Sequence, residues 1–353
     1  MEFRRGRKQT ERTESVPEEI VFTLGGLTGA KWHFEAMLHR YGEAHPETIK
    51  AIQLIVNHLA HDQRRLQVAA ELQHHVVKLT HFTLGSDHPD LFTALYVAGN
   101  LQYRVGNLEL AEAMLRDALI GQDQRLGRDH PDTLGTASFL GLALVRLDRH
   151  AEGLALLQDV SERRARSLGA VHEDTLVSRD LLADAMRSAG WLEEAAELHF
   201  ELLHDKICRF GPDSTEAAIG RNNVGLTMFQ LGHHEEAMKL FREVLATVAA
   251  DPSQQALASS ARNNLGAVLY RCGELAEAGA LLRHSISENE SRLGPDHPDV
   301  IRLVDNLAQV LAMDGKRIDA AQLARRCLAH YERRLPQNHP KLVGLRDFIA
   351  GLF

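Results

Sequence analysis

The segment ARNNLGAVLYRCGELAEAGALLRHSI, residues 261–286, contains the pattern that decides the fold. Its apolar residues recur at helical spacing on both sides of Gly273, and glycine adopts backbone conformations that other residues resist. Gly266 lies seven residues before this glycine, and Ala278 lies five residues after it. Small side chains at one point of each helix allow two helices to approach closely. The segment therefore predicts two packed helices joined by a turn at Gly273.

The same three features recur along the chain with a period of about 42 residues. The turn position moves in steps of 42, 42, 42, 41 and 42 residues through Gly106, Asp148, Gly190, Gly232, Gly273 and Gly315. The small residue before the turn recurs as Gly99, Gly141, Ala183, Gly225, Gly266 and Ala308. The small residue after it recurs as Ala111, Gly153, Ala195, Ala237, Ala278 and Ala320.

The dipeptide His-Pro keeps the same period and marks the beginning of each pair. Proline suits the first turn of a helix, where its missing N–H costs nothing, and the acidic residue that often follows favours the positive end of the helix dipole. One further unit near Gln255 closes the only gap in the series. The two marks together predict helix pairs that repeat along the chain. The His-Pro mark or its variant stands at His45, His88, His130, His172, Ser214, His297 and His339.

Residues 261–286 and linkers such as LGRDHPDT, residues 126–133, resemble the kinesin-light-chain class of tetratricopeptide repeats. That class has a period near 42 residues rather than the roughly 34 of the common repeat, and it is frequent in bacterial proteins. The two columns of small residues are specific for tetratricopeptide packing. The resemblance covers about residues 45–350 and implies an all-α, right-handed α-solenoid of about 16 helices.

We expect a single solenoid over residues 16–350, preceded by a disordered basic tail at residues 1–15. Within it, a half-unit occupies residues 28–42, seven pairs occupy 45–338, and a capping helix occupies 340–350. A cap is expected because a stacked array has to cover its final apolar face. Cations in the tail leave open a role with nucleic acid or anionic lipid; they are Arg4, Arg5, Arg7 and Lys8.

The composition narrows the class of function. The net charge of −8 argues against a general affinity for nucleic acid, because such binders usually carry a basic excess. No apolar run approaches the roughly 18 residues of a membrane span. Cys208, Cys272 and Cys327 lie far apart, which argues against a disulfide framework or a zinc pattern. Reduced thiols in a cytoplasmic protein are the simplest interpretation.

The resemblance implies that the first helix of each pair lines a concave wall, where a partner would bind. The wall positions lie about 10, 9, 6, 3 and 2 residues before the turn residue. They predict peptide-binding residues at Asn100, Tyr103, Arg104, Arg187, Asn222, Asn223, Phe229, Asn263, Asn264, Tyr270, Arg271 and Asn306.

An asparagine column is the sharpest feature of this set. Asn223, Asn264 and Asn306 occupy one position in three successive pairs, although asparagine is a mediocre helix former. Its amide carries two donors and an acceptor, so a row of amides can bind the backbone of an extended peptide. The alternative is that these residues orient neighbouring helices. Peptide binding requires the side chains of Asn223 and Asn264 to face solvent in the free protein.

A second ladder consists of Arg179, Arg221 and Arg262, one in each of three successive pairs. Their helical phase leans toward the packing side of the first helix. We therefore predict buried or half-buried ion pairs with acidic residues of the second helix. The alternative is an anion-binding edge beside the peptide site.

The motifs of common enzymes are missing from the sequence. It contains no nucleophile elbow, P-loop, dinucleotide-binding glycine pattern or zinc-protease motif, and six of its 20 histidines mark helix starts. We therefore predict no catalytic residue, metal or cofactor. The leading interpretation is an adaptor that holds an extended segment of a protein or peptide partner. A peptide-responsive regulator of another protein is the alternative, and an enzyme with an unrecognised site comes third.

Overall fold

The computed structural model describes residues 28–62, 65–248, 251–335 and 337–353. These residues form sixteen α-helices and the short 3₁₀ helix Pro252–Gln254, and none of them lies in a β-strand. The all-α class and the helix number predicted from the repeats are confirmed. The tail predicted at residues 1–15 lies outside the described residues.

The chain divides into two compact units, of which the first ends at Gly169 and the second begins at Ala170. A single right-handed solenoid over residues 16–350 stays a prediction. The first unit contains α1 (Thr28–Tyr41), α2 (Pro46–Ala60), α3 (Leu66–Leu84), α4 (Pro89–Val105), α5 (Leu108–Leu126), α6 (Pro131–Arg146) and α7 (His150–Leu168). The second contains α8 (Glu173–Ser188), α9 (Leu192–Phe210), α10 (Thr215–Gln230), α11 (His234–Val248), α12 (Gln255–Cys272), α13 (Leu275–Leu293), α14 (Pro298–Met313), α15 (Arg317–Glu332) and α16 (Pro340–Ala350).

Within each unit, every helix packs on the next helix along the chain. The pairs begin with α2, α4 and α6 in the first unit and with α8, α10, α12 and α14 in the second. First helices of neighbouring pairs also touch, as α4 does with α6 and α10 does with α12. The last helix, α16, packs on α15 and buries Leu342 and Leu345. Each unit is therefore a stack of helix pairs.

The columns of small residues mark the point of closest approach within a pair. A Cβ atom built on Gly99 would lie only 2.6 Å from Cγ of Leu115, and one on Gly225 would lie 2.8 Å from the ring of Phe241. Real Cβ contacts are longer than this. A larger residue at these glycines would therefore push the two helices apart, as the sequence pattern predicts.

Histidine caps six of the helices, a role that the sequence reasoning did not assign to it. In each case Nδ1 accepts a hydrogen bond of 3.2 Å from the backbone N–H two residues later. Nδ1 can accept this bond only when it carries no proton itself. The cap satisfies one of the N–H groups that a helix start leaves without a partner. The six residues are His45, His88, His130, His172, His297 and His339.

We predict that His130→Ala lowers the free energy of unfolding by about 0.5–2 kcal/mol, the usual cost of losing a cap. His130→Asn should recover most of this loss, because asparagine is a preferred capping residue. Urea denaturation followed by circular dichroism measures both changes. Equal midpoints for the alanine variant and the unmodified chain would show that the ring does not act as a cap.

Candidate functional site

The first helices of the second unit lie side by side in a way that aligns their sequence positions. α10 contacts α12, and α12 contacts α14. Residues at equal distance before the turn therefore lie on neighbouring helices. The position nine residues before the turn holds the asparagine column, and the position before it holds Asn222, Asn263 and Asp305.

Two rungs of paired asparagines connect these helices. Asn264 donates from Nδ2 to Oδ1 of Asn222 at 3.0 Å, and Asn306 donates to Asn263 at 2.7 Å. Both acceptors are buried, and a buried polar group without a partner costs about 1–3 kcal/mol. The interpretation that these asparagines orient neighbouring helices is confirmed for the two rungs. The expectation that Asn264 faces solvent holds only in part, because the residue is half-buried and its amide serves the buried acceptor of the preceding pair.

Asn223 differs from the other members of the column. In the pair before it, the acceptor position is held by Asp180, and the carboxylate of Asp180 pairs with Lys206 on α9. Asn223 is half-buried, and among the described residues its side-chain amide has no hydrogen-bond partner. One amide of the column is therefore not committed to a rung.

Four more of the predicted residues lie on the same helices. Arg187 donates to the amide oxygen of Gln230 on α10 at 3.4 Å, so its guanidinium is held against the next pair. Phe229 and Tyr270 are only half-buried and pack against the core with one side. Arg271 is exposed. The second unit thus places two cations and two aromatic rings on neighbouring first helices.

The predicted residues of the first unit share helix α4 and are described by themselves. Arg104 is exposed and donates to the backbone carbonyl of Ala60 at 2.7 Å. The guanidinium of Arg146 lies 4.8 Å from the ring centroid of Tyr103 and donates to its carbonyl at 3.2 Å. Asn100 is half-buried. Both arginines therefore connect first helices of neighbouring pairs.

The sequence reasoning missed exposed apolar residues about one turn nearer the helix start. Val177 and Ile219 lie thirteen residues before the turn on α8 and α10, and they remain 47% and 39% exposed. Thr93, at the same position in the first unit, lines a cavity of about 370 Å³ together with Ile49 and Val76. The signal that could have found them is the helical period, because wall positions recur every three or four residues.

The arginine ladder consists of half-buried ion pairs between the two helices of each pair. This confirms the structural interpretation of the ladder, since each guanidinium already has a carboxylate partner in the chain. Arg179 lies 2.6 Å from Asp205 on α9, Arg221 lies 3.3 Å from Glu243 on α11, and Arg262 pairs with Glu288 on α13.

The part of the chain that the structure describes contains free thiols but no candidate metal site. There, no group of three or more His, Cys, Asp or Glu side chains is placed to hold a metal ion. The three cysteines are free thiols, and burial raises the pKa of Cys327 to about 12. None of the described helices is both long and apolar enough to cross a membrane.

Family profiles match much of the chain. One profile of the tetratricopeptide repeat matches residues 132–201 and 257–333, and a second profile of this repeat matches residues 93–132 and 220–248. Together they cover more than half of the sequence. The chain belongs to the tetratricopeptide repeat family. A comparison of this tetratricopeptide repeat protein with curated protein sequences finds no match.

Several solved structures are similar to this tetratricopeptide repeat protein in fold. A putative kinesin light chain with nearly identical TPR-like repeats from Podosopora anserina is 22% identical, covering 58% of this chain and 97% of that chain, with a TM-score of 0.47. The Rap conjugation gene regulator of the plasmid pLS20, in complex with the Phr* peptide, is 16% identical over 95% of this chain and 94% of that chain, with a TM-score of 0.53. The quorum sensor NprR from B. thuringiensis is 15% identical over 95% and 96%, with a TM-score of 0.51. The predicted family is confirmed, and the similar structures include proteins of the kinesin-light-chain type.

We predict that Asp305→Asn stabilises the chain at pH 7. Asp305 stands where the preceding pairs carry a buried asparagine, and burial raises the pKa of its carboxyl group, although Lys341 acts in the opposite direction. A folded-state pKa above the unfolded value means that ionisation weakens the folded state. The penalty is full above the folded-state pKa and disappears as the pH falls through that value toward the unfolded value of about 3.9.

Urea midpoints at pH 7 and pH 4.5 test this prediction. The advantage of the Asp305→Asn variant should be larger at pH 7 than at pH 4.5. A variant that is less stable than the unmodified chain at pH 7 would show that the carboxylate contributes favourably there.

Proposed function

We propose that this tetratricopeptide repeat protein is a binding scaffold that holds an extended segment of a partner protein against α8, α10 and α12. The observation that carries the proposal is the uncommitted amide of Asn223 on a face whose other asparagines are paired. An amide can donate to one peptide group and accept from the next. It can therefore bind a backbone without selecting side chains.

The side chains around Asn223 change from apolar to cationic along the first helices. Val177 and Ile219 lie toward the helix starts, and Arg187 lies ten residues after Val177 on α8. Ten helical residues span about 15 Å, which an extended chain covers in four or five residues. The bound segment we propose has an apolar side chain at one end and an acidic side chain or a C-terminal carboxylate at the other. A carboxylate can form bidentate hydrogen bonds with an arginine. Arg187 would share its guanidinium between the ligand and Asp184, and the exposed Arg271 offers a second cation.

The similar structures support a peptide as the ligand class. One of them is a complex of a conjugation gene regulator with a peptide, and another is a quorum sensor. The net charge of −8 favours a protein segment over nucleic acid, and we include no membrane contact in the proposal. We further propose that the chain acts in the cytoplasm by binding alone, without catalysis or a cofactor.

We predict that Ile219→Asp weakens peptide binding at least tenfold, because a charge would enter the apolar end of the site. Asn223→Ala should cost about 1 kcal/mol or more, which corresponds to roughly fivefold or more in affinity. The probe is a dodecapeptide selected on the full chain from a random display library. Its dissociation constant is measured by fluorescence anisotropy.

Phe200→Asp is the matched control. Phe200 is 41% exposed, slightly more than Ile219, but it lies on α9, the second helix of its pair. Affinity should be unchanged in this variant, and circular dichroism should show that all variants fold. If Phe200→Asp abolishes binding while Ile219→Asp and Asn223→Ala leave it intact, the peptide binds to second helices and the proposed site is wrong.

A second candidate function is a peptide-responsive regulator of another protein. It is favoured by the likeness, over 95% of this chain, to a conjugation gene regulator and a quorum sensor. Affinity purification from the native host with and without the selected peptide separates the two functions. A scaffold should lose its bound protein to the peptide, whereas a regulator should keep or gain a different protein when the peptide is present.

A further inference from the structure

One buried position breaks the pattern of the repeats. Nine residues after the turn, four other pairs carry a large apolar residue that packs on the small residue of the first helix, as Leu115 packs on Gly99. The fourth pair carries His199 there, opposite Ala183. His199 is 0% exposed. The apolar residues of the other pairs are Leu115, Leu157, Phe241 and Leu282.

The ring of His199 has no hydrogen bond at either nitrogen. The nearest carboxylate oxygen is Oδ1 of Asp184, which lies 3.9 Å from Nε2. That oxygen already accepts a hydrogen bond of 2.9 Å from Arg187. Asp180 pairs with the buried amine of Lys206. With a neutral ring the two carboxylates are balanced by the two cations, so a proton on His199 would add a charge with no hydrogen-bond partner.

The charged groups that act on the ring come from both helices of the pair. α8 contributes Asp180, Asp184 and Arg187, and α9 contributes Lys206. The neighbouring helix α10 carries two titratable side chains. The first, Glu216, is exposed, and the second, Arg221, is paired with an acid of α11.

Burial lowers the pKa of His199, and the nearby Asp184 and Asp180 only partly oppose this effect. The opened chain therefore binds the proton more tightly than the closed pair does. The closed pair has its full stability at pH values above about 6.5, which is the pKa of an ordinary histidine in the opened chain. This stability is lost as the pH falls below that value, because the unfolded state then binds more protons.

We propose that His199 makes the pair α8–α9 a proton-sensitive element, which stays closed while the ring is neutral and opens more readily in mildly acidic solution. The element is built from a buried imidazole without a hydrogen-bond partner and from two carboxylates that are each already paired with a cation. The proposal does not depend on the ligand of the scaffold.

Hydrogen exchange of the full chain tests the proposal, with rates corrected for the intrinsic effect of pH. From pH 7.5 to 5.5, the opening equilibrium of residues 173–210 should rise about tenfold, the ratio expected when one opened histidine of ordinary acidity takes up a proton. Residues 215–248 serve as the internal reference and should not share the increase. Opening of both segments to the same extent would overturn the proposal.

His199→Leu restores the residue type of the other pairs and should abolish the tenfold increase. The matched control is His204→Gln on the exposed side of the same helix, which should retain it. The capping histidine His172 is present in all three proteins, so differences between them report on residue 199. An unchanged pH response in His199→Leu would overturn the proposal.

A measurement on the unmodified chain covers the case in which His199→Leu does not fold. Histidine-selective ¹⁵N labelling reports the protonation of each ring. The ring of His199 should remain neutral while exposed histidines titrate, and it should gain its proton at the pH where residues 173–210 lose protection. Protonation together with the exposed histidines, without loss of protection, would show that the pair is not proton-sensitive.

Discussion

The closeness of the two helices in each pair is the constraint on which both units depend. Gly99 and Gly225 leave no room for a side chain, and the space is filled by Leu115 and Phe241 of the second helix. In these pairs the contact sets the separation of the two helices at one point. Because the repeat period is 41 or 42 residues, equivalent positions on successive first helices fall into register. Only this register allows Asn264 to reach the pair before it.

The periodic part of the structure could be predicted from the sequence, because each mark acts locally. Turn residues and small-residue columns are separated by fewer than ten positions, so their helices follow from the pattern alone. The capping role of histidine was missed because it depends on one ring nitrogen and not on residue class. The asparagine column was found, but its partners were not, because a rung joins two different positions of neighbouring pairs. Val177 was missed because the predicted wall positions extend only ten residues before the turn, and Val177 lies thirteen residues before it.

The face of the first helices in the second unit combines fixed and uncommitted groups. Buried amides at Asn222 and Asn263 hold neighbouring pairs together, and they take the asparagines of the next pair as donors. Where Asp180 replaces the buried amide, its carboxylate pairs with Lys206. The amide of Asn223 therefore has no rung partner in the preceding pair. The polar core that distinguishes the fourth pair is thus also the reason that an amide becomes available beside it. In the same pair, Arg187 donates hydrogen bonds to Asp184 and to Gln230 of the next pair.

A gene duplication would affect two kinds of contact in this chain differently, namely contacts within one helix pair and contacts between neighbouring pairs. A capping histidine and the contact between Gly99 and Leu115 lie inside one pair, whereas the asparagine rungs join residues 42 or 43 positions apart. A tandem copy of one such segment would bring its own caps and close contacts with it. It would also recreate a rung at each new junction, because donor and acceptor occupy adjacent positions in every copy. Unequal recombination can therefore lengthen an array of this kind without any new stabilising contact having to evolve.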